Sequence, residues 1–418
     1  MEEKEYKRVE FQYGIILLKT RRFQSLMDRL GRNSISKPLG WFLLYLMPVG
    51  AGIGLFVFLT QFSLFFSPAV HQVGVVVRSV SPLAYLGLPG INPYLPVIDG
   101  WAALIVAMIV HEGAHGVVAR SLGFPVKSSG LLFFLFIPIG AFVEVDEEAL
   151  KLGRARDSGR ILAAGAGVNF VLGIVFLLLL FNLVSSMTPA ANGIAVVGVD
   201  TSISVNNTTV ITPASRAGIV PGDFIVEINN VHTTDPGQIS GASWYRPGDV
   251  INVTISRGGK VMQLDNITLL ANPANSTLGY IGVDLKGYSS LQGTVSTYTG
   301  SFFTRPIMYL CIPTFPSCQS LAPFSDQNSI FYTSPYGSWT APLANFLYWF
   351  FFLNFNLAIF NALPIYPLDG GQAYMAGLKG LTKGKLSEAN LVRITAITTL
   401  LVIATVVTLP FASYLHLI

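Results

Sequence analysis

The sequence predicts a polytopic α-helical membrane protein of about five spans, with a re-entrant β or loop segment and a small β-rich domain inserted between spans. Three observations predict it. Only 11% of the 418 residues are charged and 51% are hydrophobic, with mean hydropathy +0.56, whereas a soluble domain carries about a quarter charged residues. Five apolar stretches, at 39–66, 98–118, 160–186, 342–364 and 391–414, are long enough to cross a hydrocarbon core of about 30 Å. Between the third and fourth, residues 188–286 change to short alternating runs broken by Gly, Pro and Asn.

Taken in order, residues 1–38 are polar and mixed in charge, and they lack the short apolar core of a cleavable leader. They are expected to form a cytoplasmic N-terminal segment. Residues 39–186 form the first part of a membrane core. Within it the run Leu131 to Phe142 contains Pro138 and Gly140 and is too short to span. It is expected as a re-entrant strand or loop covered by protein or a watery cavity.

In 188–286, three segments read as strands: Ile194 to Val199, Phe224 to Ile228 and Val250 to Ile255. Ala214 to Ile219 reads as a helical turn feeding the tight turn Pro221-Gly222-Asp223. Residues 287–341 follow as an outer connecting loop, and 342–418 complete the membrane core. Cys311 and Cys318 lie in that loop, where a disulfide and two free thiols are both open.

Basic residues orient the chain. Residues 1–38 hold nine Lys and Arg, the 119–160 connection holds six, and the 366–391 turn holds Lys379, Lys383 and Lys385. The 67–97 loop has Arg78 alone, and six are spread thinly over 187–341. By the positive-inside rule the N-terminus is cytoplasmic and 187–341 lies outside. Sequons at Asn206, Asn207, Asn252, Asn266 and Asn275 all fall in that outer segment. Nothing in the composition suggests nucleic-acid binding.

The chemistry is carried by His111-Glu112-Gly113-Ala114-His115, placed inside the second apolar run. Ionisable groups are expensive in hydrocarbon and need a function and a partner. On a helix the two histidines share a face and suit one metal ion, while Glu112, about a quarter turn away, reaches a water held by that ion. The competing reading is a pair of core histidines with a snorkelling glutamate. Two histidines leave a catalytic zinc site one protein ligand short. Asp369, after Pro364 and Pro367 at the end of the fourth span, supplies a carboxylate of the right kind. Taken alone it would read as the cap of a cytoplasmic helix beginning at Gly370. Asn169, in Gly165-Ala166-Gly167-Val168-Asn169, and Asn361 are polar in apolar helices. Each reads either as an oxyanion or substrate-carbonyl donor or as an interhelical hydrogen bond.

With these residues in place the chain resembles the site-2 protease family of intramembrane zinc metalloproteases, from about residue 98 onward. The resemblance is carried by His111-Glu112-Gly113-Ala114-His115, by Asn361 with Pro364 and Asp369-Gly370, and by the insert. The insert resembles a permuted PDZ domain through Ala217 to Ile225, Arg246 to Val250 and Arg257 to Lys260. The N-terminal stretch with its extra first span looks more like archaeal members. One departure is that relatives carry Gly-Pro shortly before the residue matching Asn169, and no proline stands there in this chain.

The resemblance implies His111, His115 and Asp369 as Zn2+ ligands and Glu112 as the acid/base. It implies cleavage of transmembrane protein substrates near the cytoplasmic face of the bilayer, with a role in regulated intramembrane proteolysis. It also places membrane-embedded β structure at Gly130 to Val143, whose free edge would take up an unwound substrate, and a peptide C-terminus at the PDZ-like domain. Two other readings compete. A catalytically inactive membrane-protein binder or chaperone would have lost Glu112 or a ligand. A zinc transporter would show internal repeats, and none is visible.

Overall fold

Residues 8–12, 14–134, 137–205, 208–240 and 245–417 are described by the structure, a computed structural model. The chain divides into two units, one of residues 1–178 and 346–418 and the other of residues 179–345.

The first unit is built on long apolar helices. Among the described residues, five helical segments are long and apolar enough to cross a membrane: Ser36–Phe66, Val97–Ser121, Ala155–Ser185, Gly337–Ala362 and Glu388–Tyr414. They coincide with the five stretches expected from hydropathy and are numbered spans 1 to 5. Phe56, Ile98 and Leu400 are 72%, 83% and 67% exposed, which suits a surface solvated by lipid rather than water. Small residues let the helices approach: Gly167 lies against Leu43, Gly54 against Ile359 and Leu363, and Gly173 against the Phe355 backbone. Where span 1 enters, the buried Arg160 guanidinium donates to Lys37 O at 2.6 Å and lies 4.9 Å from the Trp41 ring centroid.

The short apolar run between spans 2 and 3 forms a β-hairpin. Its strands belong to a four-stranded antiparallel sheet in the order β1 (Val9–Gln12), β2 (Ile15–Thr20), β3 (Val126–Phe134) and β4 (Ile137–Val145). The N-terminal segment, read from its polarity as a plain cytoplasmic stretch, therefore supplies half of this sheet. Leu17 pairs with Leu132 and Lys19 with Gly130, which in turn faces Phe142. A side chain at Gly130 would run into Leu18 O and the Phe142 ring, so the register depends on glycine there. Helix Gln24–Gly31 pins the arrangement to span 2: Arg120 pairs with Asp28 at 3.1 Å, and Gly116 faces Met27 and Val143. The hairpin ends on Asp146, which caps helix Glu147–Leu152. The Ala149 N–H and then Lys127 hold its carboxyl below the ordinary range.

The second unit centres on an antiparallel sheet. Its strands run in the order Lys260–Thr268, Val250–Arg257, Phe224–Ile228, Ile194–Val199 and Val283–Lys286, with Val231–His232 paired to Phe224–Ile228. Alternation puts Ile194 with Val196 and Ile251 with Val253 and Ile255 into one core, which Ile225, Ile228, Ala214 and Ile219 complete. Helix Pro213–Ala217 begins on Thr212 and ends at Gly218 in the left-handed region. Asp223 is fully buried and is paired with Arg257 at 2.6 and 2.7 Å, while the same guanidinium also donates to Gly218 O. A single charged pair thus ties the helix end to two strands.

The expected outer connecting segment is not a plain loop. It contains helix Tyr288–Gly300 and the Cys311–Cys318 disulfide. Phe181, Tyr298, Phe302, Tyr309 and Phe324 form a cluster of tilted and edge-to-face rings beside it. Of the five sequons, Asn252, Asn266 and Asn275 are exposed, and Asn206 and Asn207 lie outside the described residues.

Candidate metal centre

Span 2 carries His111 and His115 one turn apart, both buried, with their ring centroids 4.9 Å apart. The Nε2 atoms of both rings converge on one oxygen: Asp369 Oδ2 lies 3.0 Å from His111 and 3.1 Å from His115. The chain reaches this point by a sharp turn after span 4. Ile365 N donates to Leu363 O at 2.7 Å, Leu368 N donates to Ile365 O at 2.8 Å, and span 5 anchors the turn through Thr399 Oγ1, which accepts from Tyr366 N at 3.0 Å. Helix Asp369–Leu381 then starts with Leu368 at its N-cap. Asp369 is therefore not the cap of this helix, and its carboxylate is directed at the histidines instead. Gly370 and Gly371 are required for the close approach, since a Cβ at either would meet the backbone of Ala362 to Tyr366.

Span 3 lies along the other side of the pair. Ile161, Gly165 and Asn169 follow one another at four-residue steps and so occupy one stripe of the helix. His115 Nδ1 donates to Ile161 O at 2.7 Å. A carbonyl only accepts, so the neutral ring keeps its lone pair on Nε2, facing Asp369. Any Cβ at Gly165 would collide with both imidazoles. Asn169 is fully buried with its Nδ2 placed 3.3 Å from His111 Nδ1, and its Oδ1 has no partner among the described residues. The glycine and the carbonyl were not singled out from the sequence; a four-residue stripe of small and polar residues in an apolar helix was their signal.

Glu112 stands beside the three donors and not among them. Its Oε2 accepts a 3.0 Å hydrogen bond from Val143 N on β4. The other sequence candidate bonds within its own helix: Asn361 donates to Leu357 O at 3.0 Å.

The three donor atoms lie within 4.8 Å of one another. Bonds of about 2.0–2.1 Å at tetrahedral angles separate two ligand atoms by about 3.3 Å, so the histidine-to-carboxylate separations of 3.0 and 3.1 Å are within a few tenths of an ångström of what zinc requires. Two imidazoles and one carboxylate also leave one of four positions open, which is the donor set of a zinc hydrolase rather than of a structural site. Set among apolar spans, it defines the class: a membrane-embedded zinc hydrolase.

Comparison with known proteins agrees. The profile of peptidase family M50 matches residues 100–405, and the chain belongs to this family, the site-2 proteases. It is 26% identical over 367 residues to an uncharacterized protein of Methanocaldococcus jannaschii, covering 87% of this chain and 78% of the relative. A provisionally named zinc metalloprotease of Clostridium perfringens is 25% identical, covering 67% and 86%. The zinc metalloprotease RasP of Shouchella clausii is 25% identical, covering 53% and 50%. The protein is a multi-pass membrane zinc metalloendopeptidase.

Proposed function

We propose that this protein hydrolyses peptide bonds within or next to transmembrane helices of membrane-protein substrates, as a step of regulated intramembrane proteolysis. His111, His115 and Asp369 would hold the zinc and Glu112 would act as acid and base. The convergence of these three donors inside apolar spans carries the reading. Zinc held there would supply a bound water with a pKa lowered toward about 7 and a Lewis acid for the scissile carbonyl. Glu112, oriented by the Val143 N–H, takes the water's proton and returns it to the leaving amine. Among the described residues β4 pairs only with β3, and its other edge, where Glu112 holds the Val143 N–H, is the candidate place for an extended substrate segment to add as a strand. Asn169 through its carboxamide nitrogen, and Asn361 once released from Leu357 O, are the candidates for holding the substrate carbonyl.

Purified protein in bilayers is expected to cut a model transmembrane substrate, to stop on chelation and to resume on zinc addition. A zinc-loaded preparation that leaves such substrates intact would point to a membrane-protein binder.

The active-site end and the N-terminus face the cytoplasm in this proposal, and residues 187–341 lie outside, on the strength of the basic residues and the exposed sequons. A cysteine introduced at Ser202 is expected to react with an impermeant outer-face reagent, and one at Lys383 to stay unlabelled. Labelling of the Ser202 position only from the cytoplasmic side would reverse the orientation.

The insert acts as a PDZ-like filter on substrates. Among the described residues its edge strand Val283–Lys286 pairs on one side only, next to a cavity of about 210 Å³ lined by Ile225, Tyr245, Ile281, Val283 and Leu285. An edge strand beside an apolar cavity suits an extended chain end, such as one exposed by an earlier outer cut. Replacing residues 190–286 with a flexible linker is expected to preserve zinc content and cleavage of a pre-trimmed substrate. It should relax discrimination against substrates with a large outer domain; unchanged discrimination would rule the filter out.

A further inference from the structure

We propose that Asn169 is a positioning residue for the metal: its carboxamide oxygen accepts from His111 Nδ1–H and thereby keeps His111 Nε2 as a zinc-binding lone pair. The inference rests on the zinc metalloprotease reading and concerns how this chain prepares its two histidines, which it does in different ways.

A neutral imidazole carries one N–H, and only the other nitrogen can bind a metal. For His115 the choice is made by the Ile161 carbonyl, which forces the proton onto Nδ1. Two turns further along the same stripe of span 3, no backbone carbonyl among the described residues is bonded to His111 Nδ1; the Asn169 carboxamide is, placed with Nδ2 at 3.3 Å. A carboxamide keeps its shape when its oxygen and nitrogen exchange places by a half-turn. With the nitrogen toward the ring, Nδ1 must accept. The proton then sits on Nε2, between the ring and Asp369, and His111 is lost as a ligand.

With the oxygen toward the ring, the proton sits on Nδ1. Nε2 then presents its lone pair on the side where Asp369 Oδ2 lies 3.0 Å away. In the nitrogen-inward orientation the buried Oδ1 is left without a partner among the described residues. The donor set chooses. Only the second orientation makes three ligands of His111, His115 and Asp369, and a ligating histidine as a rule donates its other N–H to an oxygen. Asn169 is fully buried, so water does not substitute for it readily.

The test compares zinc affinity, by competition with a chromophoric chelator, among the wild-type protein, Asn169→Leu and Asn169→Asp, with thermal unfolding of the metal-free proteins measured alongside. Leu keeps the volume and removes the acceptor. Zinc affinity is expected to fall about 10- to 100-fold, the usual cost of losing such a partner, with metal-free unfolding little changed. Asp keeps an oxygen toward Nδ1–H and is expected to bind zinc at least as tightly as the wild type.

Wild-type affinity in Asn169→Leu would overturn the proposal. So would a loss in Asn169→Asp, because a carboxylate oxygen facing Nδ1–H should hold the ring as a ligand at least as well as the amide; this arm decides the matter even if the Leu variant does not fold. A wild-type protein without zinc affinity would sink the metalloprotease reading, and the positioning role with it, whereas the variant results bear on the positioning role alone.

Discussion

Glu112→Gln is expected to reduce cleavage of a transmembrane substrate by about a hundredfold to ten-thousandfold, the range contributed by general acid–base catalysis, while zinc content stays at about one per chain. The two readouts separate because Glu112 is bonded to Val143 N on β4 and lies outside the group formed by His111, His115 and Asp369. Glutamine keeps the side-chain shape and an oxygen to accept from Val143 but cannot take up a proton. His111→Ala, His115→Ala and Asp369→Ala are expected to lose metal and activity together. Each removes one of three protein donors, and the remaining two do not make a catalytic zinc site. Elemental analysis beside a cleavage assay decides the matter. Full zinc in Asp369→Ala would remove Asp369 from the ligand set, and a Glu112→Gln enzyme that still cleaves would remove the acid/base.

The second large effect is expected at a residue with no functional group. In Gly165→Ala, the added methyl would stand inside contact distance of both imidazoles. Neither ring can yield freely, because Ile161 O holds one and Asn169 faces the other. Either the histidines rotate away from Asp369 or span 3 moves outward. Misplacement by about 1 Å in a catalytic constellation costs about a hundredfold, so activity is expected to fall by at least that, with weakened zinc binding. Gly52→Ala on span 1 is the control, since a Cβ there meets nothing. Wild-type zinc affinity and activity in Gly165→Ala would show that spans 2 and 3 are not packed as described.

The insert illustrates how a local pattern persists into the fold. Ile194 to Val199, Phe224 to Ile228 and Val250 onward alternate in sequence and become three neighbouring strands of one sheet. The Gly258-Gly259 pair turns the hairpin between Arg257 and Lys260 with both residues at positive φ, as two glycines between alternating runs suggest. The N-terminal segment illustrates the opposite. Ile15–Thr20 is a short apolar run in a charged context, and nothing local says that its partner is Val126–Phe134, more than a hundred residues away.

What the sequence determined by itself was whatever depends on neighbours along the chain. The five spans come from unbroken apolar length, the shared face of His111 and His115 from helical spacing, and the close approach at Asp369 from the adjacent glycines. The tertiary structure alone decided which groups meet at the candidate site. Asp369 meets the histidines across 258 and 254 residues, Ile161 O meets His115 across 46, and Asn169 meets His111 across 58. It also decided that Cys311 and Cys318 are joined, and that β4 brings Val143 to Glu112. The physical reason is that residue type and spacing set the periodicity of one element, whereas the partner of a buried donor or acceptor depends on which helices pack together. A carboxamide or a glycine has the same local preferences beside a zinc site as anywhere else in an apolar helix.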